Sequence, residues 1–148
     1  LSRASSQIKN QPSSSPFVGK IINYINLNFA GDLSLKLLAD EFSISKNYLS
    51  KLFKTETGIG INDYINLVRI KNAEHILMFT NNTVLEVATT CGFHDSNYFS
   101  TVFKKINGLS PLQYRKSEKN KNTDWRKDYQ LARAVALVKA LSIFSPNN

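Results

Sequence analysis

Residues 46–54 read KNYLSKLFK and residues 96–104 read SNYFSTVFK. The string Asn-Tyr-Leu/Phe-Ser, with Phe-Lys after two intervening residues, therefore occurs twice, fifty positions apart. Gly58 with Gly108 and Tyr64 with Tyr114 repeat at the same interval. A fixed period of this kind is the mark of an internal duplication, and each copy reads as one small supersecondary unit.

In the first copy Ser34 is placed to cap a short helix whose inward side is Leu35, Leu38, Ala39 and Phe42. Ser43-Ile44 turns the chain and Ser45 caps the next helix. There Leu49, Leu52 and Phe53 share one face, Lys46, Asn47, Ser50, Lys51 and Lys54 the other, and Thr57-Gly58 ends the element. In the second copy Thr83 and Glu86 have capping-box spacing, Val84, Val87, Ala88 and Cys91 face inward, Gly92 turns the chain and Asp95 caps. Phe99, Val102, Phe103 and Ile106 are then expected inside, with Ser96, Asn97, Ser100, Thr101 and Lys104 outside. A last short helix starts at the capping box Ser110-Pro111-Leu112-Gln113 and carries Tyr114, Arg115 and Lys116. Two short helices, a tight turn between them and apolar residues only where they meet are the grammar of a helix-turn-helix.

Outside the copies, Ser15-Pro16 opens a helix with Val18, Ile21, Ile22, Ile25 and Phe29 at helical spacing, closed by Gly31. A stretch from about Asn62 to Phe79 is apolar on several sides and, at 1.5 Å per residue, would extend roughly 27 Å. The expected fold is all-α: two helix-turn-helix subdomains joined by a long connector helix, about seven helices, with an extra C-terminal one. The expected partition is a Ser/Asn/Gln-rich linker to a missing upstream domain over 1–15, the first subdomain over 16–60, the connector over 61–80, the second subdomain over 81–118, and an extension over 119–148 with a helix over 124–144. Three readings stand for that extension: a helix packing back on the domain, a self-association helix, or a vector-derived or frame-shifted tail.

The chain carries 19 Lys+Arg against 11 Asp+Glu, a net charge of +8, which favours polyanionic partners, nucleic acid or an anionic membrane face. Only +3 of this lies within residues 17–116, so placement matters more than total. No acid stands between Phe42 and Thr55 or between Ser96 and Ser117, while those windows hold Lys46, Lys51, Lys54, Lys104, Lys105, Arg115 and Lys116. In a DNA-binding helix-turn-helix the second helix enters the major groove, and it needs that combination of no acid and many hydrogen-bonding groups. No apolar run reaches membrane-spanning length, and a single cysteine excludes a disulfide framework and the common zinc patterns. Neither a cofactor nor a metal is expected, and a reducing, cytoplasmic location fits.

The motifs LADEFSISKNYLSKLFKTETG, RIKNAEHIL and VATTCGFHDSNYFSTVFKKINGLSPLQYRK resemble the AraC/XylS-type bacterial transcription regulators over residues 17–116, about two thirds of the chain. The resemblance implies a non-enzymatic, sequence-specific reader of double-stranded DNA, more often an activator, which contacts RNA polymerase and takes an effector or phosphorylation input on an N-terminal domain. Carried over by position, the base-reading places fall on Asn47, Ser50 and Lys51 and on Ser96, Asn97, Ser100 and Thr101, with Lys46, Lys54, Lys104, Lys105, Arg115 and Lys116 toward phosphates. Members often carry Arg where Lys51 and Thr101 stand, so Thr101 reads as a weaker second reader. Ser43 replaces a frequent turn glycine, which predicts slight strain there. Phe53, Phe99 and Phe103 are expected in the core, Tyr48 and Tyr98 mainly packed at the helix pair with phosphate contact as the alternative, and Cys91 as a buried thiol rather than an alkyl acceptor. From another class, a helix-turn-helix that has lost DNA binding and docks a protein partner remains the competing reading.

Overall fold

The computed structural model describes residues 15–121; the expected linker, apart from Ser15, and the expected helix over 124–144 lie outside the described residues. Seven α-helices and no strands occur among the described residues: α1 Pro16–Asn28, α2 Leu35–Glu41, α3 Lys46–Thr57, α4 Ile61–Phe79, α5 Val84–Thr90, α6 Ser96–Asn107 and α7 Pro111–Lys121.

The starts are set by side chains that accept from otherwise orphaned amides. The hydroxyls of Ser15, Ser34 and Ser45 accept from Val18 N, Leu37 N and Tyr48 N, each such cap contributing about 1 kcal/mol. Thr83 and Glu86 form the full reciprocal box, as do Ser110 and Gln113. The stops of α3 and α6 are Gly58 at φ 83 and Gly108 at φ 78, each donating its amide to the carbonyl of Lys54 or Lys104. A side chain at either position would be forced into the left-handed region, which glycine alone enters freely.

The described residues divide into two compact units at the Val68–Arg69 junction. In the first, Val18, Ile21, Ile25, Leu33, Leu38, Ala39, Leu49, Phe53, Ile61 and Ile65 form the core. Ile70, Ala73, Leu77, Val87, Ala88, Cys91, Phe93, Phe99, Val102 and Phe103 form that of the second. Helix α4 thus gives its first half to one core and its second half to the other, the reason its apolar residues fall on several sides. The expected packing role of Phe53, Phe99 and Phe103 holds, since all three are completely buried; truncating any one to Ala would cost about 3–5 kcal/mol. Ile106 departs from expectation. It is 36% exposed, because the core of the second unit is already closed by Phe103 against Tyr114, ring centroids 5.3 Å apart.

The repeat is not uniform. Helices α3 and α6 are displaced by fifty positions, but α2 and α5 start at Leu35 and Val84, one position less. The difference lies in the turn. Ile44 N donates to Ala39 O and Phe93 N to Ala88 O, at 3.0 and 2.9 Å, so Ile44 corresponds to Phe93 and His94 is the additional residue before the second cap.

Candidate nucleic-acid interface

Each recognition-helix candidate is oriented by two anchors and a stop. In α3, Leu49 and Phe53 are fully buried and Phe53 packs on Tyr64 at 5.6 Å. In α6, Phe99 and Phe103 occupy the same places, with the Phe103–Tyr114 contact matching. Side chains recur every 3.6 residues, so fixing these positions inward fixes the others outward.

In α3, Lys46, Asn47, Lys51 and Lys54 are exposed and Ser50 is half-buried; in α6, Asn97, Thr101, Lys104 and Lys105 are exposed and Ser96 and Ser100 are half-buried. Lys116 is exposed on α7. The ion pairs that form among the described residues, Lys36–Asp40, Lys71–Glu74 and Lys121–Glu118, use none of these lysines. The one acid of α3, Glu56, is occupied elsewhere: its carboxylate accepts from the Ser15 amide at 2.6 Å and from the Ser15 hydroxyl at 3.2 Å. The outward side of α3 is left cationic.

Three observations change the picture drawn from sequence. Tyr48 and Tyr98 are each 53% exposed, more open than packing at the helix pair implies, although Tyr98 keeps part of that contact, its ring centroid 6.1 Å from that of Phe93. The Thr101 hydroxyl donates to Asn97 O at 3.0 Å, so its proton is directed into its own helix. Arg115, expected toward phosphate, sends its Nε to Leu77 O at 2.9 Å and is half-buried. The guanidinium closes the end of α4, where carbonyls lack helical partners, and this removes it from the exposed cationic set.

The structure also adds neighbours. A shallow depression is lined by Asn47, Ser50, Lys51 and Lys54 together with Gly60, Ile61, Asn62 and Asp63. The first turn of α4 is brought against α3 by the short link after Gly58. Asn62 is the polar residue missed by pattern reading, and the brevity of that link was the signal. Asp63 is the acid of this lining and, in the first turn of α4, complements the helix dipole.

Cys91 is buried, and burial pushes its thiol up to about 11 against the opposing pull of Arg69. His94 is exposed. Among the described residues no cluster of His, Cys, Asp or Glu could hold a metal ion, and no helix is long and apolar enough to cross a membrane.

Comparison with known proteins gives this arrangement its family. A model described as a helix-turn-helix domain matches residues 38–117. In Escherichia coli K12 the uncharacterized HTH-type transcriptional regulator YijO is 39% identical over 119 residues, covering 80% of this chain and 42% of YijO. The HTH-type transcriptional activator RhaR of the same strain is 35% identical over 103 residues, covering 70% of this chain and 36% of RhaR. The chain therefore spans about two fifths of the length of these relatives. Among solved structures, the DNA-binding domain of the global transcriptional factor AdpA, in complex with a target DNA, superposes with a TM-score of 0.68 at 21% identity, over 72% of this chain and 96% of that one; that likeness establishes the double helix-turn-helix fold. The chain belongs to the AraC-type helix-turn-helix family of DNA-binding transcription regulators, a family of regulators and not of enzymes.

Proposed function

We propose that this chain reads double-stranded DNA sequence-specifically, with α3 and α6 entering two adjacent major-groove segments. The observation that carries the reading is the twofold occurrence of an acid-free outward helix face, on α3 bearing Asn47, Ser50 and Lys51 and on α6 bearing Ser96, Asn97, Ser100 and Thr101. Asn pairs bidentately with adenine, Lys donates to guanine O6 or N7, and Ser or Thr serves several bases. Lys46, Lys54, Lys104, Lys105 and Lys116 neutralise phosphates, and Asn62, at the start of α4, adds an uncharged hydrogen-bond donor beside α3. The direction of control is activation, as in the name of RhaR, through contact with RNA polymerase in the cytoplasm, with the input held on a further domain. The 42% and 36% coverage of YijO and RhaR supports an output module within a longer regulator.

A fluorescence-anisotropy titration of the chain against its selected duplex and a random one tests this. Lys51→Ala is expected to cost about 1–3 kcal/mol on the selected duplex and little on the random one, whereas Lys104→Ala weakens both and lowers the salt slope by about 1. Absence of binding to any duplex at micromolar protein and low salt would instead favour the protein-docking reading.

A further inference from the structure

The two units present their outward groups in the same local frame, and this bears on the sequence they select. Asn47 and Asn97 are both exposed in the first turn of their helices, and Ser50 and Ser100 are both half-buried one turn on. The frame around each pair is repeated: a cap one residue before the helix, Leu49 and Phe53 or Phe99 and Phe103 wholly buried, a Phe–Tyr contact of 5.6 or 5.3 Å, and a left-handed glycine stop at φ 83 or 78. Identical donors and acceptors held at identical positions on equally anchored helices have the same preferred base edges.

The equivalence breaks at one place. Lys51 is an exposed ammonium with three donors, while its counterpart Thr101 gives its hydroxyl proton to Asn97 O at 3.0 Å. What Thr101 offers a base is then an acceptor and a methyl group, neither of which satisfies the two acceptors on guanine.

We propose that the cognate duplex carries two copies of one short element, each with an adenine read by the Asn of one unit, and that a guanine beside that adenine is required in the copy read by Lys51 alone. The proposal rests on the DNA-reading function above and specifies its substrate: an imperfect repeat whose two halves share the Asn-read base and differ at the base facing Lys51 or Thr101.

Selection of bound sites from a randomised duplex pool by the full chain, followed by the same selection with variants checked for native circular dichroism, tests it. The expected pool shows two related elements. Asn47→Ala should erase the adenine preference in one element and Asn97→Ala in the other, each with about a 5- to 150-fold loss on the wild-type site. Lys51→Ala should erase the guanine preference in the element read by Asn47. Thr101→Lys should create one in the element read by Asn97. Two unrelated enriched elements, a single enriched element, or adenine preferences unmoved by both Asn variants would overturn the proposal while leaving DNA reading intact. A wild-type chain that binds duplex with no enrichment, or binds none, would overturn the functional reading itself.

Discussion

Ser43 in the first unit occupies the backbone position that Gly92 occupies in the second, at φ 56 and φ 96 respectively. Each donates its amide three residues back, Ser43 to Asp40 O at 3.2 Å and Gly92 to Thr89 O at 3.1 Å. The strain expected at Ser43 is thus present, as the cost of holding an L side chain in the left-handed region. That region costs a non-glycine residue about 1–2 kcal/mol, and the extra unfolded-state entropy of glycine returns about half of it. Ser43→Gly should raise the stability of the first unit by roughly 0.5–1 kcal/mol. Urea unfolding followed by circular dichroism measures this; an unchanged midpoint would mean that the turn carries no strain.

Arg115 is expected to act in folding rather than on DNA. Removing its guanidinium strips Leu77 O of a charged donor at 2.9 Å, a loss of about 1.5–3 kcal/mol. Arg115→Ala should lower the melting temperature of the second unit and leave the slope of log Kd against log salt unchanged. Lys116→Ala should do the reverse, cutting the slope by about 1 with little change in melting. A reduced slope for Arg115→Ala would return that residue to the phosphate contacts.

Cys91 predicts a loss of stability on the alkaline side. Burial holds the thiol neutral and raises its pKa from 9.0 to about 11. The stabilisation is complete below the unfolded value and disappears as pH rises through the folded one. Between about pH 9 and 11 the native chain should therefore lose stability faster than a Cys91→Val variant, compared by urea midpoints. Labelling by a thiol reagent at pH 8 should be slow in buffer and fast in urea. Prompt labelling of the native chain would mean an accessible thiol.

The box at the start of α5 predicts the opposite dependence. The amide of Thr83 donates to Glu86 Oε1 at 2.8 Å, and this bond, with that of the Thr83 side chain, lowers the carboxyl pKa of Glu86. A depressed pKa stabilises above the unfolded value and is lost as pH falls through the folded one. Glu86→Gln, which retains the box geometry, should flatten the acid side of the stability profile. Thr83→Ala should cost about 1 kcal/mol at neutral pH. Identical acid limbs for wild type and Glu86→Gln would show that the carboxylate contributes nothing.

The sequence by itself determined the elements and their sides. Helical spacing, Ser, Thr and Asp caps and the glycine stops are local, acting within a turn or two of chain, so the seven helices, the buried Phe53, Phe99 and Phe103, and the exposed Asn47, Lys51 and Asn97 were all legible. Tertiary packing decided what local pattern cannot carry. The Arg115–Leu77 and Ser15–Glu56 bonds join residues 38 and 41 positions apart, and no periodicity relates such groups. How far Tyr48, Tyr98 and Ile106 are exposed depended on which rings the fold brings beside them, Phe93 against Tyr98 and Phe103 with Tyr114 in the core near Ile106. The meeting of Asn62 with α3, and the one-residue lengthening of the second turn by His94, emerged only when backbone hydrogen bonds fixed which residues answer to one another. A side chain's periodicity gives its direction; its partner is set by whatever the rest of the chain brings there.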